Sequence, residues 1–166
     1  MTGVSIRRAV PEGANVAIAV VRDSITRLCV ADHENDPLTL EPWLRNKTAD
    51  DFARWLDNAD NHIVVAEFDS AIGGVASLRG NREIQLCYVA PDRQRLGIGT
   101  ALLVALETQA RASGIDKLIL NSTAGARFFY AHNGYTPSGP PVPGFGRSHC
   151  FPYEKVILRL PSNGQR

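Results

Sequence analysis

The sequence predicts an α/β domain in which a mixed β-sheet of about six to seven strands is flanked by about four helices. Two stretches rich in β-branched residues, His62 to Phe68 and Ile72 to Leu78, are joined by a short polar connection and predict an antiparallel hairpin. From Glu83 to Leu120 the pattern changes to strand, helix and strand, which predicts a right-handed parallel crossover. Antiparallel and parallel pairs in one chain together indicate a mixed sheet.

The segment before the hairpin is mainly helical in pattern. Ile18, Val21, Ile25 and Leu28 recur at spacings of three and four, which is typical of an amphipathic helix. Thr48 is a candidate N-cap, and the two aspartates that follow Ala49 favour the positive end of a helix dipole. The elements predicted here are a strand over Val4 to Val10 and helices over Asn15 to Ala31, over Leu38 to Leu44 and from Thr48 onward.

The segment after the hairpin alternates between strands and helices. In the strand from Glu83 to Val89, alternation predicts that Ile84, Leu86 and Tyr88 share one face. The elements predicted beyond it are a helix over Gly99 to Ser113, a strand over Asp116 to Leu120, a helix over Ala124 to His132, a Pro/Gly-rich loop over Thr136 to Pro152 and a last strand over Val156 to Leu160. We expect residues 1–166 to form a single domain, because about 150 residues is a usual domain size.

Composition excludes several classes of protein. The formal net charge of +1 gives no support to a nucleic-acid partner or an anionic membrane surface. The longest apolar run, Val16 to Val21, is far shorter than the roughly 20 residues of a membrane-spanning helix. Cys29, Cys87 and Cys150 are odd in number and lack zinc spacing, so we expect reduced thiols of a cytoplasmic protein and no metal site.

The glycine-containing turn between Val89 and Thr100 is the most informative local pattern. Gly97 and Gly99 open a helix although glycine costs about 0.8–1 kcal/mol relative to alanine there. One reason is that a phosphate can approach free N–H groups at a helix start, with Arg93 and Arg95 adding positive charge. The alternative is a tight connection whose glycines serve packing, and the glycines alone do not separate the two. Neither the P-loop pattern nor the complete dinucleotide fingerprint is present.

Three sequence blocks carry a family resemblance. Gln94, Gly97 and Gly99 fill the pattern Gln/Arg-x-x-Gly-x-Gly/Ala directly after a strand. The preceding strand, Glu83 to Val89, and the later segment Ala126 to Tyr135, which resembles Ala-x-x-Phe-Tyr-x-x-x-Gly-Phe, follow in the expected order. Together they resemble the GNAT superfamily of acyl-CoA-dependent N-acetyltransferases, and the resemblance implies a GNAT-like fold.

The resemblance implies a binding mode for acetyl-CoA between the fourth and fifth strands, which splay apart in this family. The pantetheine would pair with main chain at Cys87, Tyr88 and Val89. Asn121 is the candidate for a pantetheine-contacting asparagine, since Thr123-Ala124-Gly125 occupies the region where many relatives carry it. The pyrophosphate would bind the N–H groups of Gln94, Arg95, Leu96, Gly97, Ile98, Gly99 and Thr100.

The resemblance also implies catalytic roles. Tyr130 matches the tyrosine that protonates the departing CoA thiolate, which is reasonable because a tyrosine keeps its proton at neutral pH. Its alternative role is that of a core aromatic. Glu83 matches the glutamate that removes a proton from the acceptor ammonium, directly or through water. Its alternatives are an exposed glutamate beside a turn, with another carboxylate or ordered water as the base.

Three residues are candidates for the acceptor site. Asp32 continues the apolar face of the first long helix, with His33 beside it, and a charge on such a face needs a partner or a cleft. Arg147 lies in the long loop and is a candidate for an acceptor carboxylate. The alternatives are a helix end and a surface loop in solvent. Cys87 is expected to be a buried strand residue, since the family transfers the acetyl group directly.

The function expected from these residues is transfer of an acetyl group from acetyl-CoA to a primary amine of a small molecule. A protein or peptide acceptor is one alternative, and a non-catalytic acyl-CoA-binding regulatory module is another. A homodimer is a further candidate partner, whereas nucleic acid and membrane are not expected. The segments outside Glu83 to Tyr135 carry no pattern that names the acceptor.

Overall fold

The computed structural model describes residues 3–157 of the chain. Its longer strands are β1 (Ser5–Arg8), β2 (Asn61–Phe68), β3 (Ala71–Arg79), β4 (Glu83–Val89), β5 (Lys117–Ser122) and β8 (His149–Val156), and two-residue strands β6 (Thr136–Pro137) and β7 (Val142–Pro143) precede β8. The helices are α1 (Ala14–Leu28), α2 (Val30–His33), α3 (Pro37–Arg45), α4 (Ala49–Asp57), α5 (Ile98–Ala112) and α6 (Arg127–His132). No helix within residues 3–157 is long and apolar enough to cross a membrane.

The strands form one mixed sheet in the order β1-β2-β3-β4-β5-β8-β6, with β7 also paired to β8. Strands β4 and β5 are parallel, and every other pair is antiparallel. The predicted hairpin is therefore β2 and β3, and the predicted parallel crossover runs from β4 through α5 to β5. The mixed sheet flanked by helices is confirmed, and eight strands replace the predicted six to seven because β6 and β7 are too short for a periodic signal.

Each face of the sheet carries its own apolar core. On one face, α1 contributes Val21 and Ile25, and α4 contributes the buried Phe52. Thr48 caps α4 as expected, and its side chain accepts from the Asp51 N–H in a capping box. On the other face, α5 presents Leu102, Leu103 and Leu106 to the sheet. The sheet is thus a central layer, and the β4–β5 opening lies between the two cores.

A β-bulge in β4 corrects the predicted strand face. Ser77 of β3 pairs with Leu86 and the next residue, Leu78, pairs with Ile84, so Gln85 is an extra residue in β4. The extra residue breaks the alternation, because each side chain after it lies on the face opposite to the one that simple alternation predicts. Ile84 packs in the α5 core, whereas Leu86 packs in the α1 core, so the prediction that they share a face is wrong.

The end of the first helix also differs from prediction. The predicted helix from Asn15 to Ala31 ends at Leu28, and Val30–His33 forms the separate short helix α2. Cys29 adopts a φ of −98° and a ψ of 25° between them, which is outside α-helical geometry. This break turns the residues after Leu28 away from the axis of α1.

The last strand starts earlier than the sequence pattern indicates. Strand β8 begins at His149, inside the predicted loop, and it contains Pro152. The Pro152 carbonyl accepts from the Ser138 N–H, so the side of this residue that lacks a donor faces away from β5. Proline is therefore tolerated at this position of an inner strand. Most of the predicted strand from Val156 to Leu160 lies outside the described residues.

Candidate active site

A cleft opens where β4 and β5 diverge. These strands pair only at Glu83 with Ile119 and at Ile84 with Leu120. Beyond the bulge, β4 remains paired to β3 through Val89, but its other edge has no neighbouring strand. The cleft left by this divergence has a volume of about 450 Å³ and extends to the first turn of α5. The main chain of β4 therefore forms one wall with unpaired polar groups.

The far end of the cleft is an array of backbone donors. Within the described chain, none of the N–H groups from Gln94 to Thr100 donates a hydrogen bond to another backbone or side-chain group. The first N–H group that helix α5 uses is that of Ala101, which donates to the Gly97 carbonyl. Unpaired N–H groups and the positive end of a 15-residue helix together favour an anion at this point.

The two glycines of this turn serve different physical purposes. Gly97 has a φ of +79°, and a Cβ there would meet no atom within 4 Å, so its conformation is what requires glycine. Gly99 lies in the first turn of α5, and a Cβ there would lie 2.9 Å from two ring carbons of Phe129. The packing explanation therefore accounts for Gly99, because the Phe129 ring occupies the space that a side chain would fill.

Most of the residues predicted to bind the cofactor line this one cleft. The exception is Leu96, which is exposed and does not line it. The residues that do line it are Cys87, Tyr88, Val89, Gln94, Arg95, Gly97, Ile98, Gly99, Thr100 and Asn121. They come from β4, the following turn, α5 and β5, so the fold brings together groups that the sequence separates by more than thirty positions.

Tyr130 lies in the wall of the cleft on helix α6. Its ring contacts Phe129 and Tyr135 edge to face, with centroid distances of 5.1 and 5.8 Å. Burial raises the pKa of Tyr130 well above its ordinary value, and the neighbouring Cys87 adds to this increase. The hydroxyl therefore keeps its proton at neutral pH and can donate it to a group in the cleft.

Cys87 also lines the cleft, but it is unsuited to nucleophilic attack. Burial raises the pKa of the Cys87 thiol to about 12, although its contact with Tyr130 acts in the opposite direction. The thiolate, which is the reactive form of cysteine, is therefore absent at neutral pH. Within residues 3–157, no three His, Cys, Asp or Glu side chains lie close enough together to hold a metal ion.

Glu83 lies at the opposite end of β4 from the glycine turn and does not line the cleft. Its carboxylate accepts from the Arg79 guanidinium at 2.8 Å across the β3–β4 pair. Cys87 lies four positions further along the strand, which is about 13 Å at the usual rise. The structure thus does not place this predicted base in the lining of the cleft, although its neighbours Ile84 and Gln85 line it.

The Asp32 carboxylate hydrogen-bonds to the backbone of a loop that is distant in sequence. Its carboxylate accepts from the Ala124 N–H at 2.6 Å and from the Gly125 N–H at 3.4 Å. These N–H groups lie just before helix α6, which carries Tyr130. The charge expected on the apolar face of the first helix is therefore explained by a bond that joins α2 to this loop.

The other two predicted acceptor-site residues, His33 and Arg147, make their contacts outside the cleft. His33 is 1% exposed, and its Nε2 donates to the carbonyls of Ile25 and Thr26 while its Nδ1 accepts from the Asn35 N–H. Arg147 extends into solvent near Asp36, with 3.7 Å between its Nε and the carboxylate. His33 therefore supports the fold, and neither residue lines the cleft.

Several cleft residues carried no signal in the sequence. Ser24 and Leu28 of α1 and the following residue Cys29 line the cleft beside β4, and the apolar spacing that includes Leu28 predicted only a core helix. Arg93, expected to add charge for a phosphate, donates to the Phe68 carbonyl at 2.7 Å and lies over the Phe68 ring. Its guanidinium therefore fastens the turn to β2.

Solved structures of known proteins share this architecture. A GCN5-related N-acetyltransferase from Rhodopseudomonas palustris is 28% identical, with a TM-score of 0.84, and the match covers 95% of this chain and 98% of that one. PaiA N-acetyltransferase from Thermoplasma acidophilum, solved in complex with coenzyme A, is 23% identical, with a TM-score of 0.75 and coverage of 93% and 99%. A ribosomal-protein-alanine N-acetyltransferase from Brucella melitensis is 24% identical, with a TM-score of 0.70 and coverage of 92% and 99%.

Sequence comparison gives the same family. A search of curated protein sequences found no significant match. The family model described as an acetyltransferase (GNAT) domain, however, matches residues 24–156, which include the cleft, the glycine turn and Tyr130. The match spans most of the chain, and the solved structures above share its fold along nearly their whole length. The chain therefore belongs to the GNAT family of acetyltransferases and is an acyltransferase.

Proposed function

We propose that the protein transfers an acetyl group from acetyl-CoA directly to a primary amine of a small molecule, within a single domain. The observation that carries this proposal is the cleft itself. It joins an unpaired strand edge, an array of free N–H groups and a protonated tyrosine within one volume of about 450 Å³. A long thioester donor with an anionic end needs these three features in this order.

The free edge of β4 suits the pantetheine arm. The amides of pantetheine can hydrogen-bond to the main chain of Cys87, Tyr88 and Val89, as a peptide does when it adds to an open sheet edge. This edge is open because β5 has diverged from β4 there. Asn121 on β5 faces the same cleft and offers a side-chain amide from the opposite wall. The pyrophosphate then lies on the N–H groups from Gln94 to Thr100, and Arg95 is the nearby exposed cation.

Tyr130 is the proposed general acid. The amine nitrogen attacks the thioester carbonyl, the carbon–sulfur bond breaks, and the sulfur takes the electron pair of that bond. The Tyr130 hydroxyl donates its proton to the departing thiolate and recovers one from solvent. Cys87 takes no covalent part because burial keeps its thiol protonated. The overall products are the amide, free CoA and one proton for each ammonium consumed.

Glu83 remains a proposed base, now through water only. The incoming ammonium must lose a proton before it attacks, and the Glu83 carboxylate is about 13 Å along the strand from Cys87. One or more waters would have to carry the proton between them. The ion pair with Arg79 holds the carboxylate in place at this end of β4.

The test of this function combines binding with turnover. We expect acetyl-CoA to raise the melting temperature in a concentration-dependent way and to release free thiol when a primary amine is supplied. The panel should contain small amines, amino acids, polyamines and peptides with free N-termini. Absence of both a melting shift and thiol release would contradict the proposal. Release with peptides alone would favour the peptide acceptor over the small molecule.

A further inference from the structure

A second cleft, of about 390 Å³, lies beside β4 and has no role in the donor site described above. Gln85 and Tyr88 line both clefts, so the two meet at β4, next to the edge where the thioester of the donor would lie. Gln85 is the bulge residue of this strand. The second cleft is therefore a direct neighbour of the donor site, with Gln85 and Tyr88 between them.

The walls of the second cleft are aromatic and are held in place. Trp43 of α3 and Phe145 of the long loop stack with a centroid distance of 5.9 Å and an angle of 15°. The loop is fixed on α3, because Gly146 packs so tightly that a Cβ would overlap the Leu38 carbonyl and because the Arg147 N–H donates to Thr39 Oγ1 at 3.0 Å. The stacked pair is thus preformed.

Two further aromatic residues line this cleft, together with the uncharged polar residues Asn46, Asn58, Asn61, Ser77 and Gln85. Trp55 of α4 and Tyr88 of β4 face the same cleft. Trp43 and Trp55 are the two tryptophans of the sequence, so the intrinsic fluorescence of the protein comes from side chains that line this cleft. An aromatic or broad apolar group fits such walls by stacking.

The charged side chains of the lining are both positive. Lys47 is 5% exposed, and its ammonium donates to the Trp43 carbonyl at 3.2 Å and to Asn46 Oδ1 at 2.6 Å. An ammonium has three donors, and beyond these two bonds its Nζ lies 5.2 Å from the centroid of the Phe145 ring, so a ligand carboxylate would compete only with this weaker cation–π contact. Within residues 3–157, no carboxylate lies within 4.0 Å of it. Arg79 is the other cation, and no Asp or Glu lines this cleft.

A buried ammonium lowers the stability of a fold unless a partner or a ligand interacts with its charge. Burial lowers the pKa of Lys47 to about 8, with Arg22 acting in the same direction and Asp51 against it. A buried charge without a carboxylate partner destabilises the fold, and side chains with strongly shifted pKa values cluster at functional sites. The same positive charge disfavours acceptors with several ammonium groups, because like charges repel.

We infer that the second cleft binds the acceptor and that the acceptor is a primary amine carrying a carboxylate and an aromatic or broad apolar group. The carboxylate pairs with the Lys47 ammonium, and the apolar group lies against Trp43 and Phe145. The amine then points past Tyr88 toward the thioester. This inference rests on the proposed function, since it names the substrate class for the same transfer.

The test compares amines that differ only in the carboxylate. One pair is phenylalanine and phenylalaninamide, and a second pair with longer spacing is 4-(aminomethyl)benzoate and 4-methylbenzylamine. We expect the carboxylate member of at least one pair to have a kcat/KM at least tenfold higher in the wild-type protein. The less basic amine of phenylalaninamide favours the opposite order, so amine basicity cannot produce this result. Ratios near one for both pairs would overturn the inference.

Variants then assign the effect to one side chain. In Lys47→Met the ratio should fall to about one, whereas Lys117→Met, which removes a lysine paired with Glu154 outside both clefts, should keep the wild-type ratio. An unchanged ratio in Lys47→Met would overturn the inference. The melting temperature of each variant shows whether it is folded, and the wild-type comparison stands without the variants.

A binding measurement separates this inference from the proposed function. 4-Methylbenzoate carries the ring and carboxylate but no amine, so it cannot be acetylated. With excitation at 295 nm, above the absorbance of this probe, we expect saturable quenching of tryptophan fluorescence in the wild-type protein and loss of that quenching in Lys47→Met. Quenching without transfer to any amine would overturn the proposed function alone, and transfer without quenching or carboxylate preference would overturn this inference alone.

Discussion

Replacement of Gly99 tests whether packing or ligand access explains the second glycine of the turn. An alanine Cβ would lie 2.9 Å from two ring carbons of Phe129, about 0.5 Å short of an ordinary van der Waals contact. Overpacking of this kind costs about 1–3 kcal/mol, and the better helix propensity of alanine returns about 0.8–1 kcal/mol. We therefore expect Gly99→Ala to lower the free energy of unfolding by about 1 kcal/mol.

A double-mutant cycle isolates the contact. Phe129→Leu removes the ring edge, so the combination with Gly99→Ala should be more stable than the sum of the two single effects by about 1–2 kcal/mol. Gly97→Ala is the matched control. It costs about 1 kcal/mol because its φ is +79°, and Phe129→Leu should not relieve that cost, since no atom lies within 4 Å of the missing Cβ.

Urea unfolding measures the free energy of unfolding of each variant, and isothermal titration calorimetry measures its affinity for acetyl-CoA. Phe129 lies next to Tyr130 and lines the cleft, so a displaced ring should also weaken acetyl-CoA binding in Gly99→Ala. Additive effects of Gly99→Ala and Phe129→Leu, within about 0.5 kcal/mol, would refute the packing explanation. Unchanged stability with lost acetyl-CoA binding would favour the ligand-access explanation instead.

Three other predictions follow from the described contacts. Asp32→Ala should lower the free energy of unfolding by about 1–3 kcal/mol, because it removes the charge-assisted bond to the Ala124 N–H. The control Asp57→Ala removes an exposed and unbonded carboxylate and should leave the free energy of unfolding unchanged. Equal effects of the two variants would contradict a stabilising role of the Asp32 bond. The pKa of Lys47 is about 8 in the folded state and near 10.5 when unfolded, so the unfolded state binds more protons between these pH values. The free energy of unfolding of the wild type, relative to that of Lys47→Met, should therefore rise by about 1–2 kcal/mol from pH 8 to pH 10. A difference that does not change with pH would contradict the burial of this ammonium. Glu83→Gln should lower kcat most at low pH, whereas Glu67→Gln, which removes a carboxylate paired with Arg7 outside both clefts, should not. A profile of Glu83→Gln that matches the wild type would remove Glu83 from the mechanism.

The sequence predicted the position of the β4–β5 cleft because each block that lines it is a local pattern along the chain. The strand from Glu83, the glycine turn and the helix with Tyr130 are local patterns, and a parallel crossover brings them together in one way. The expected site lay in the β4–β5 opening, and the residues that line it are mostly those expected. Their roles as binding and catalytic groups remain predictions.

The remaining features depend on contacts that no local pattern encodes. The bulge at Gln85 reverses the faces of the strand, yet an extra residue looks like any other in a strand sequence. Asp32 was recognised as an unusual charge, but its partner Ala124 lies 92 residues away. The second cleft draws Trp43, Trp55 and Phe145 from three separate segments, and only their packing reveals one aromatic wall.

The proton donor role of Tyr130 is the central claim, and a paired measurement of kcat and acetyl-CoA affinity in Tyr130→Phe tests it most directly. The best acceptor from the amine panel serves as substrate. Tyr135→Phe is the control, because it removes a neighbouring hydroxyl that donates to Glu107 and does not line the cleft. We predict that kcat falls roughly 100-fold in Tyr130→Phe while the Kd for acetyl-CoA changes less than about threefold. An unchanged kcat, or an equal loss of kcat in Tyr135→Phe, would contradict the account.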